Sequence, residues 1–309
     1  MPFNPVLADK LHLMQDIDFH ALDAEAFARM DEFYRDEEPW ELPEGVTVGD
    51  DEVPGPHGPV PVRIYRPSTP TAAQGLVWAH GGGFASGDLD MGEAHIVSAE
   101  LAARSGALVV SVGYRLATEG VRYPVPVDDV HAAFLWAADG GVDGAPDGFL
   151  LGGASAGSAL ALAAAQRLRD AGDQRLRGLL LAYPFAHFPN PALDPDVAEE
   201  LAMLPATLRF GTANVEWMVR NYVGRISDLP AEAMPGAGRL DGLPPVHIVI
   251  SEYDDLRSSG ELLDRQLTEA GVPVASYLAL GMPHGHLNRV PVFDEVSRSL
   301  DHFAAALRS

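Results

Sequence analysis

The sequence predicts an α/β fold, a mostly parallel sheet flanked by helices and carrying a helical cap. Two observations predict it. From about residue 75 to the end, short and almost uninterrupted apolar runs alternate with helical patterns, as buried parallel strands and their covering helices do. Two other stretches, residues 1–42 and 187–240, break that alternation with aromatic-rich helical sequence.

In chain order, residues 1–42 read as cap helices, with Phe27, Met30, Phe33, Tyr34 and Trp40 standing among acids. The stretch VTVGDDEVPGPHGPVPVRIYRP reads as an antiparallel hairpin turning at PGPHGP. Strands are expected at Gly75–His80, Ala107–Tyr114, Gly148–Ser155, Gly178–Phe185, Val246–Asp254 and Val274–Gly281. Each is dominated by Val, Leu, Ile and Ala and is too short for a helix. Helical patterns fill the intervals at Glu93–Arg104, Val127–Ala138, Ser158–Ala171 and Gly260–Ala270, with a last one at Val292–Leu307. Residues 187–240 are Pro-rich and then helical, with Leu201, Met203, Leu204, Phe210, Trp217, Met218 and Tyr222 as apolar anchors. An insertion between two strands usually sits above the carboxyl edge of the sheet. It and residues 1–42 are therefore read as one cap on a core made of residues 43–186 and 241–309. No internal repeat or low-complexity tract is present.

With 309 residues, 47% of them hydrophobic, the chain can bury a substantial core. Its 44 acids against 21 Lys plus Arg give a net charge of −23, which disfavours nucleic acid and anionic membrane as partners. Without cysteine, disulfides, thiolate metal sites and cysteine nucleophiles are excluded, and a reducing cytoplasm fits. The first residues lack a basic segment followed by an unbroken apolar one, so neither a secretory signal nor a membrane span is expected.

The strongest motif is Gly153-Ala154-Ser155-Ala156-Gly157, which ends an expected strand and opens an expected helix. A nucleophilic serine needs that setting: a sharp strand-to-helix turn, small neighbours that let the two elements approach, and a helix N-terminus beneath the developing charge. The second is His80-Gly81-Gly82-Gly83-Phe84, again after a strand. Attack on an ester carbonyl creates an oxyanion, and glycines let backbone N–H groups turn toward it. The amides of Gly82, Gly83 and Ala156 are the expected donors. No GxGxxG spacing or Lys-Ser/Thr ending supports a phosphate loop instead.

A strand-borne serine of this kind is followed in the chain by an acid and then a histidine. Asp254 and Asp255 follow one later strand, and Pro283-His284-Gly285-His286 follows the next. Asp254 is preferred because it leaves the strand first, and His284 because Pro283 and Gly285 fix a tight loop around it. The constellation is that of nucleophilic catalysis through an acyl-enzyme, with no metal and no cofactor called for.

Together these residues resemble the bacterial hormone-sensitive-lipase family of esterases, of the α/β-hydrolase fold. The likeness rests on HGGGF at His80–Phe84, SVGYRLATE at Ser111–Glu119, YPVPVDD at Tyr123–Asp129, GGASAGS at Gly152–Ser158, GLPPVHIVISEYDDLR at Gly242–Arg257, EAGVPV at Glu269–Val274 and GMPHGH at Gly281–His286. It implies an eight-stranded, mostly parallel sheet, hydrolysis of short- to medium-chain acyl esters, a small-molecule ester as partner, and a homodimer through the last helix and strand. The substrate pocket would be drawn from Phe84 and from the cap residues Phe33, Trp40, Met203, Phe210, Trp217 and Met218. Several positions depart from the family pattern: Ala154 and Ser158 at the elbow, YRLATEG for YRLAPEH, DDLRS for DPLRD, and PHGH for PHGF. All three triad members and the oxyanion donors are retained. The same triad also serves lactone, carbonate or amide cleavage and acyl transfer to an alcohol. A small-molecule receptor on this fold would lack the histidine that stands here at position 284.

Overall fold

Runs such as Leu76-Val77-Trp78 present no polar side, and both of their faces are buried. The computed structural model describes residues 2–17, 23–36 and 38–309; residues 1, 18–22 and 37 of the expected N-terminal cap lie outside the described residues. Among the described residues the sheet has eight strands: β1 (Val46–Gly55), β2 (Gly58–Pro67), β3 (Gly75–Ala79), β4 (Val109–Val112), β5 (Phe149–Ala154), β6 (Leu176–Ala182), β7 (Val246–Tyr253) and β8 (Val274–Pro283). Their order is β1-β2-β4-β3-β5-β6-β7-β8. The β1–β2 hairpin and the β2–β4 pair are antiparallel, and from β4 through β8 every pairing is parallel.

The α-helices are α1 (Pro5–Lys10), α2 (Ala24–Tyr34), α3 (Gly92–Ser105), α4 (Val125–Trp136), α5 (Ala156–Asp170), α6 (Pro195–Leu201), α7 (Thr212–Val223), α8 (Arg257–Glu269) and α9 (Asp294–Arg308). Strand periodicity divides the core in two. On β3, Val77 and Ala79 pack in the layer containing α4, α5 and α8, while Leu76 and Trp78 pack in the layer containing α3 and α9. The strand expected to run to Phe185 stops at Ala182, because Tyr183 takes a left-handed φ of 35°. Among the described residues no helix is long and apolar enough to cross a membrane.

The two segments outside the alternation meet each other. The Thr207 hydroxyl donates to the Met14 carbonyl at 2.7 Å, and Leu201 and Leu204 share an apolar cluster with Phe3 and Leu11. The N-terminal segment is also tied to the sheet's carboxyl rim. Asn4 N donates to Gly281 O at 2.9 Å, and the buried Arg289 guanidinium donates to Asp36 Oδ1 at 2.9 Å and to Phe33 O at 2.7 Å. On α7, Val215, Met218, Val219 and Tyr222 form the buried face at helical spacing.

Candidate active site

Four loops leave the carboxyl ends of β3, β5, β7 and β8 on one rim, where open α/β sheets form their crevice. Ser155 joins β5 to α5 with φ 53° and ψ −116°, a backbone state worth about 1–3 kcal/mol of strain. Neighbouring bonds hold it there: Ser155 N donates to Ala182 O at 2.9 Å, and Ser155 O accepts from Ser158 N at 3.1 Å and Phe185 N at 3.3 Å. Glycine at 157 is a steric requirement, since a Cβ there would lie 2.2 Å from the Ala79 carbonyl oxygen. The Ser158 hydroxyl is directed at Gly153 O and Ala182 O, at 2.6 and 3.0 Å, bracing the elbow from inside α5.

After β3 the chain turns through Gly82 (φ 103°), Gly83 (φ 59°) and Phe84 (φ 67°). None of the N–H groups of Gly82, Gly83 and Ala156 donates to an acceptor among the described residues, which leaves all three available to an incoming oxygen. The loop is fixed from below. The Tyr114 hydroxyl lies 2.9 Å from His80 O and 3.0 Å from Gly81 O, with its ring stacked on His80 at 4.4 Å. From α3, the buried Glu93 carboxylate accepts from Gly81 N at 3.0 Å and from the Tyr183 hydroxyl at 2.6 Å.

The imidazole of His284 lies between the other two polar groups. Its Nδ1–H donates to Asp254 Oδ2 at 2.6 Å, and Nε2 accepts from Ser155 Oγ at 2.8 Å. Asp254 is buried, and its Oδ1 accepts from Leu256 N at 2.8 Å. Burial by itself would depress His284, but the charge and hydrogen bond of Asp254, helped by Glu93 and Asp255, outweigh it and raise the pKa above the ordinary value. His286 behaves oppositely: burial and the neighbouring His284 push it down to about 3. Its ring is held by hydroxyls, with Ser251 Oγ 2.9 Å from Nδ1 and Ser299 Oγ 3.0 Å from Nε2. Ser299 gives its own proton to Glu295 O at 2.7 Å, so Nε2 donates and Nδ1 accepts from Ser251. That imidazole is neutral and fully engaged.

The expected pocket residues divide. Phe210 stands edge-on to His284, ring centroids 4.6 Å apart. Met218 reaches the oxyanion loop, its Sδ only 2.7 Å from where a Cβ on Gly83 would lie. Phe84 is buried behind the loop, stacked on Tyr222 at 4.0 Å and tilted against Phe185 at 5.7 Å. The other four stand away from the His284 ring or face water. Trp40 packs on the flank of α3, edge-on to His95 at 5.2 Å, with its Nε1–H donated to Glu100 at 3.0 Å. Phe33 lies under the Arg289 guanidinium at 5.2 Å, where it braces the chain beyond the His284 loop. Met203 is 85% exposed and Trp217 61% exposed, so both side chains point mainly to water. Glu93 and Tyr183 were not anticipated, because one glutamate in an amphipathic pattern and one tyrosine after an apolar run carry no spacing signal.

Comparisons with known proteins place the chain among α/β-hydrolase-fold esterases. The family model described as alpha/beta hydrolase fold matches residues 76–288. Esterase LipI of Mycobacterium tuberculosis (strain ATCC 25618 / H37Rv) is 35% identical over 275 residues, spanning 85% of this chain and 82% of that one. Carboxylesterase NlhH of Mycobacterium tuberculosis (strain CDC 1551 / Oshkosh) is 34% identical over 272 residues, spanning 81% and 78%. Among solved structures, a hyperthermophilic esterase from the archaeon Pyrobaculum calidifontis superposes with a TM-score of 0.80 at 32% identity, covering 100% of this chain and 98% of that one.

Proposed function

Since the chain belongs to the α/β-hydrolase fold family and, within it, to the hormone-sensitive-lipase-type carboxylesterases, we propose that it hydrolyses short- to medium-chain acyl esters through Ser155, His284 and Asp254. The observation that carries the proposal is the unbroken relay from Asp254 Oδ2 through the imidazole to Ser155 Oγ, at 2.6 and 2.8 Å, beside unengaged backbone donors.

Ser155 Oγ attacks the ester carbonyl carbon while neutral His284 takes its proton at Nε2. The carbonyl oxygen becomes an oxyanion and is received by the N–H groups of Gly82, Gly83 and Ala156, with the N-terminal end of α5 adding its positive dipole. The imidazolium returns the proton to the departing alkoxide, leaving an acyl ester on Ser155. Water, deprotonated by the same Nε2, then attacks the acyl carbon; the bond to Ser155 Oγ breaks, the imidazolium returns its proton to Oγ, and the acid is released. Asp254 stays ionised throughout, fixing the Nδ1–H tautomer and stabilising the imidazolium.

The cap in this reading comprises residues 1–42 and 187–240, supported for the described residues by the Thr207–Met14 bond and the cluster they share. A cytoplasmic location is supported by the absence of cysteine. A homodimer through α9 and β8 has only the family likeness behind it. The test of the main proposal is turnover of p-nitrophenyl butyrate by the protein and by Ser155→Ala and His284→Ala. Loss of roughly 10⁴-fold or more in kcat for each variant, with normal unfolding curves, is expected. Substantial turnover by folded Ser155→Ala would assign the nucleophile elsewhere.

A further inference from the structure

The residue after Asp254 makes a different connection. The Asp255 carboxylate accepts three hydrogen bonds from the segment before α7: Arg209 Nε at 2.8 Å, a second guanidinium N–H of Arg209 at 2.7 Å, and the backbone N–H of Phe210 at 2.7 Å. The first two form a bidentate fork, the geometry in which a carboxylate–guanidinium pair is most directional. Arg209 also donates to Leu201 O at 2.6 Å, binding the end of α6 into the same knot. The backbone of Asp255 is fixed in turn, since its carbonyl accepts from Asn190 Nδ2 at 2.8 Å. The segment before α7 is thereby held at one height above the sheet, and its next side chain, Phe210, lands 4.6 Å from the His284 ring.

The position of that ring along the reaction path follows from the proton transfers. The oxygen that leaves with the alcohol has to reach His284 Nε2, because that atom supplies its proton. Whatever is bonded to that oxygen therefore extends past the imidazole, and among the described residues of 1–42 and 187–240 Phe210 is the ring standing against the imidazole. The acyl carbon, by contrast, is held between Ser155 and the donors of the Gly82–Gly83 loop. We propose that Phe210 is the specificity residue for the alcohol half of the ester, and that Asp255 and Arg209 are positioning residues that latch it beside His284. The inference rests on the proposed roles of Ser155 and His284, and it assigns the two adjacent acids separate tasks. Asp254 orients the base, and Asp255 orients the wall beside the base.

Two ester series separate the halves of the substrate. In the first, the acyl group is acetyl and the alcohol runs from methanol to cyclohexanol. In the second, the alcohol is methanol and the acid runs from acetate to octanoate. Phe210→Ala is expected to raise kcat/KM for cyclohexyl over methyl acetate by roughly tenfold, the scale of a lost hydrophobic wall, while the octanoate-to-acetate ratio stays within about twofold. Asp255→Asn should shift the alcohol ratio in the same direction by about fivefold, and should add nothing further in the Phe210→Ala background, as residues acting through one another do. Should Asp255→Asn fold poorly, Arg209→Lys replaces it, keeping the charge but losing the fork. An acyl ratio that moves instead of the alcohol ratio would overturn the assignment of Phe210. An Asp255→Asn effect of equal size with and without Phe210 would overturn the latch. All these variants retain Ser155, His284 and Asp254, so an unchanged alcohol ratio at normal turnover refutes the latch and leaves the hydrolytic mechanism standing.

Discussion

At Ser155 the backbone is held at φ 53° and ψ −116°, and two histidines two residues apart on one loop meet opposite fates. His284 faces Asp254 and is raised, whereas His286 is buried among hydroxyls and depressed to about 3. The sign of the pH dependence follows. Protonated His284 cannot accept the Ser155 proton, so kcat/KM should fall as pH drops through a pKa lying above the ordinary 6.5. Asp254→Asn removes the charge that raises that pKa. It should move the acidic limb of the profile to lower pH while cutting kcat on the order of 10⁴-fold. A limb that stays in place in Asp254→Asn, measured from pH-rate profiles, would mean that another group titrates. At this scale the sequence was informative where a motif fixes a residue to a strand end. It singled out Ser155, Asp254 and His284 in chain order, and these are the three side chains that the structure joins by hydrogen bonds. It was silent on Glu93, whose role depends on the turn of α3 that brings a lone carboxylate under Gly81.

The elements were legible for a different reason. Buried parallel strands leave a continuous apolar run, and each of the six expected runs overlaps a strand. Their ends were less legible: β6 stops three residues early at Tyr183, where backbone conformation overrides an apolar sequence. The described parts of residues 1–42 and 187–240 contain helices, as the sequence pattern indicates, but which of their aromatics stand near His284 was not legible. Trp40 could as easily pack on α3, as it does, because nothing in local spacing fixes the direction of a segment that bridges a sheet. The β3–α5 contact makes a sharp prediction. A Cβ at 157 would fall 2.2 Å from Ala79 O and 2.4 Å from His80 O, both backbone atoms that cannot move aside. Gly157→Ala should cost about 3 kcal/mol in urea unfolding. Gly49→Ala, at a position with nothing within 4 Å, should change stability by less than about 1 kcal/mol. Equal effects for the two would deny that close helix–strand approach holds the elbow.

Over the whole molecule, a net charge of −23 acts on the fold as self-repulsion spread across its surface. Salt screens that repulsion more than it weakens buried pairs such as Arg289–Asp36, whose side chains are 5% and 9% exposed. The midpoint of thermal unfolding should therefore rise by about 3 °C between roughly 0.02 and 0.5 M NaCl. A falling midpoint would place surface ion pairs ahead of net charge. The site is likewise a product of the whole chain, since the elbow, the oxyanion loop, the acid and the histidine come from four strands and meet only when the sheet is assembled. The most direct measurement of what they do together is covalent labelling with a fluorophosphonate ester, read by intact mass and peptide mapping. A single adduct per chain, on Ser155, absent from Ser155→Ala and formed far more slowly by His284→Ala, is the predicted result. A stoichiometric adduct on any other residue, or one that survives in Ser155→Ala, would contradict the account.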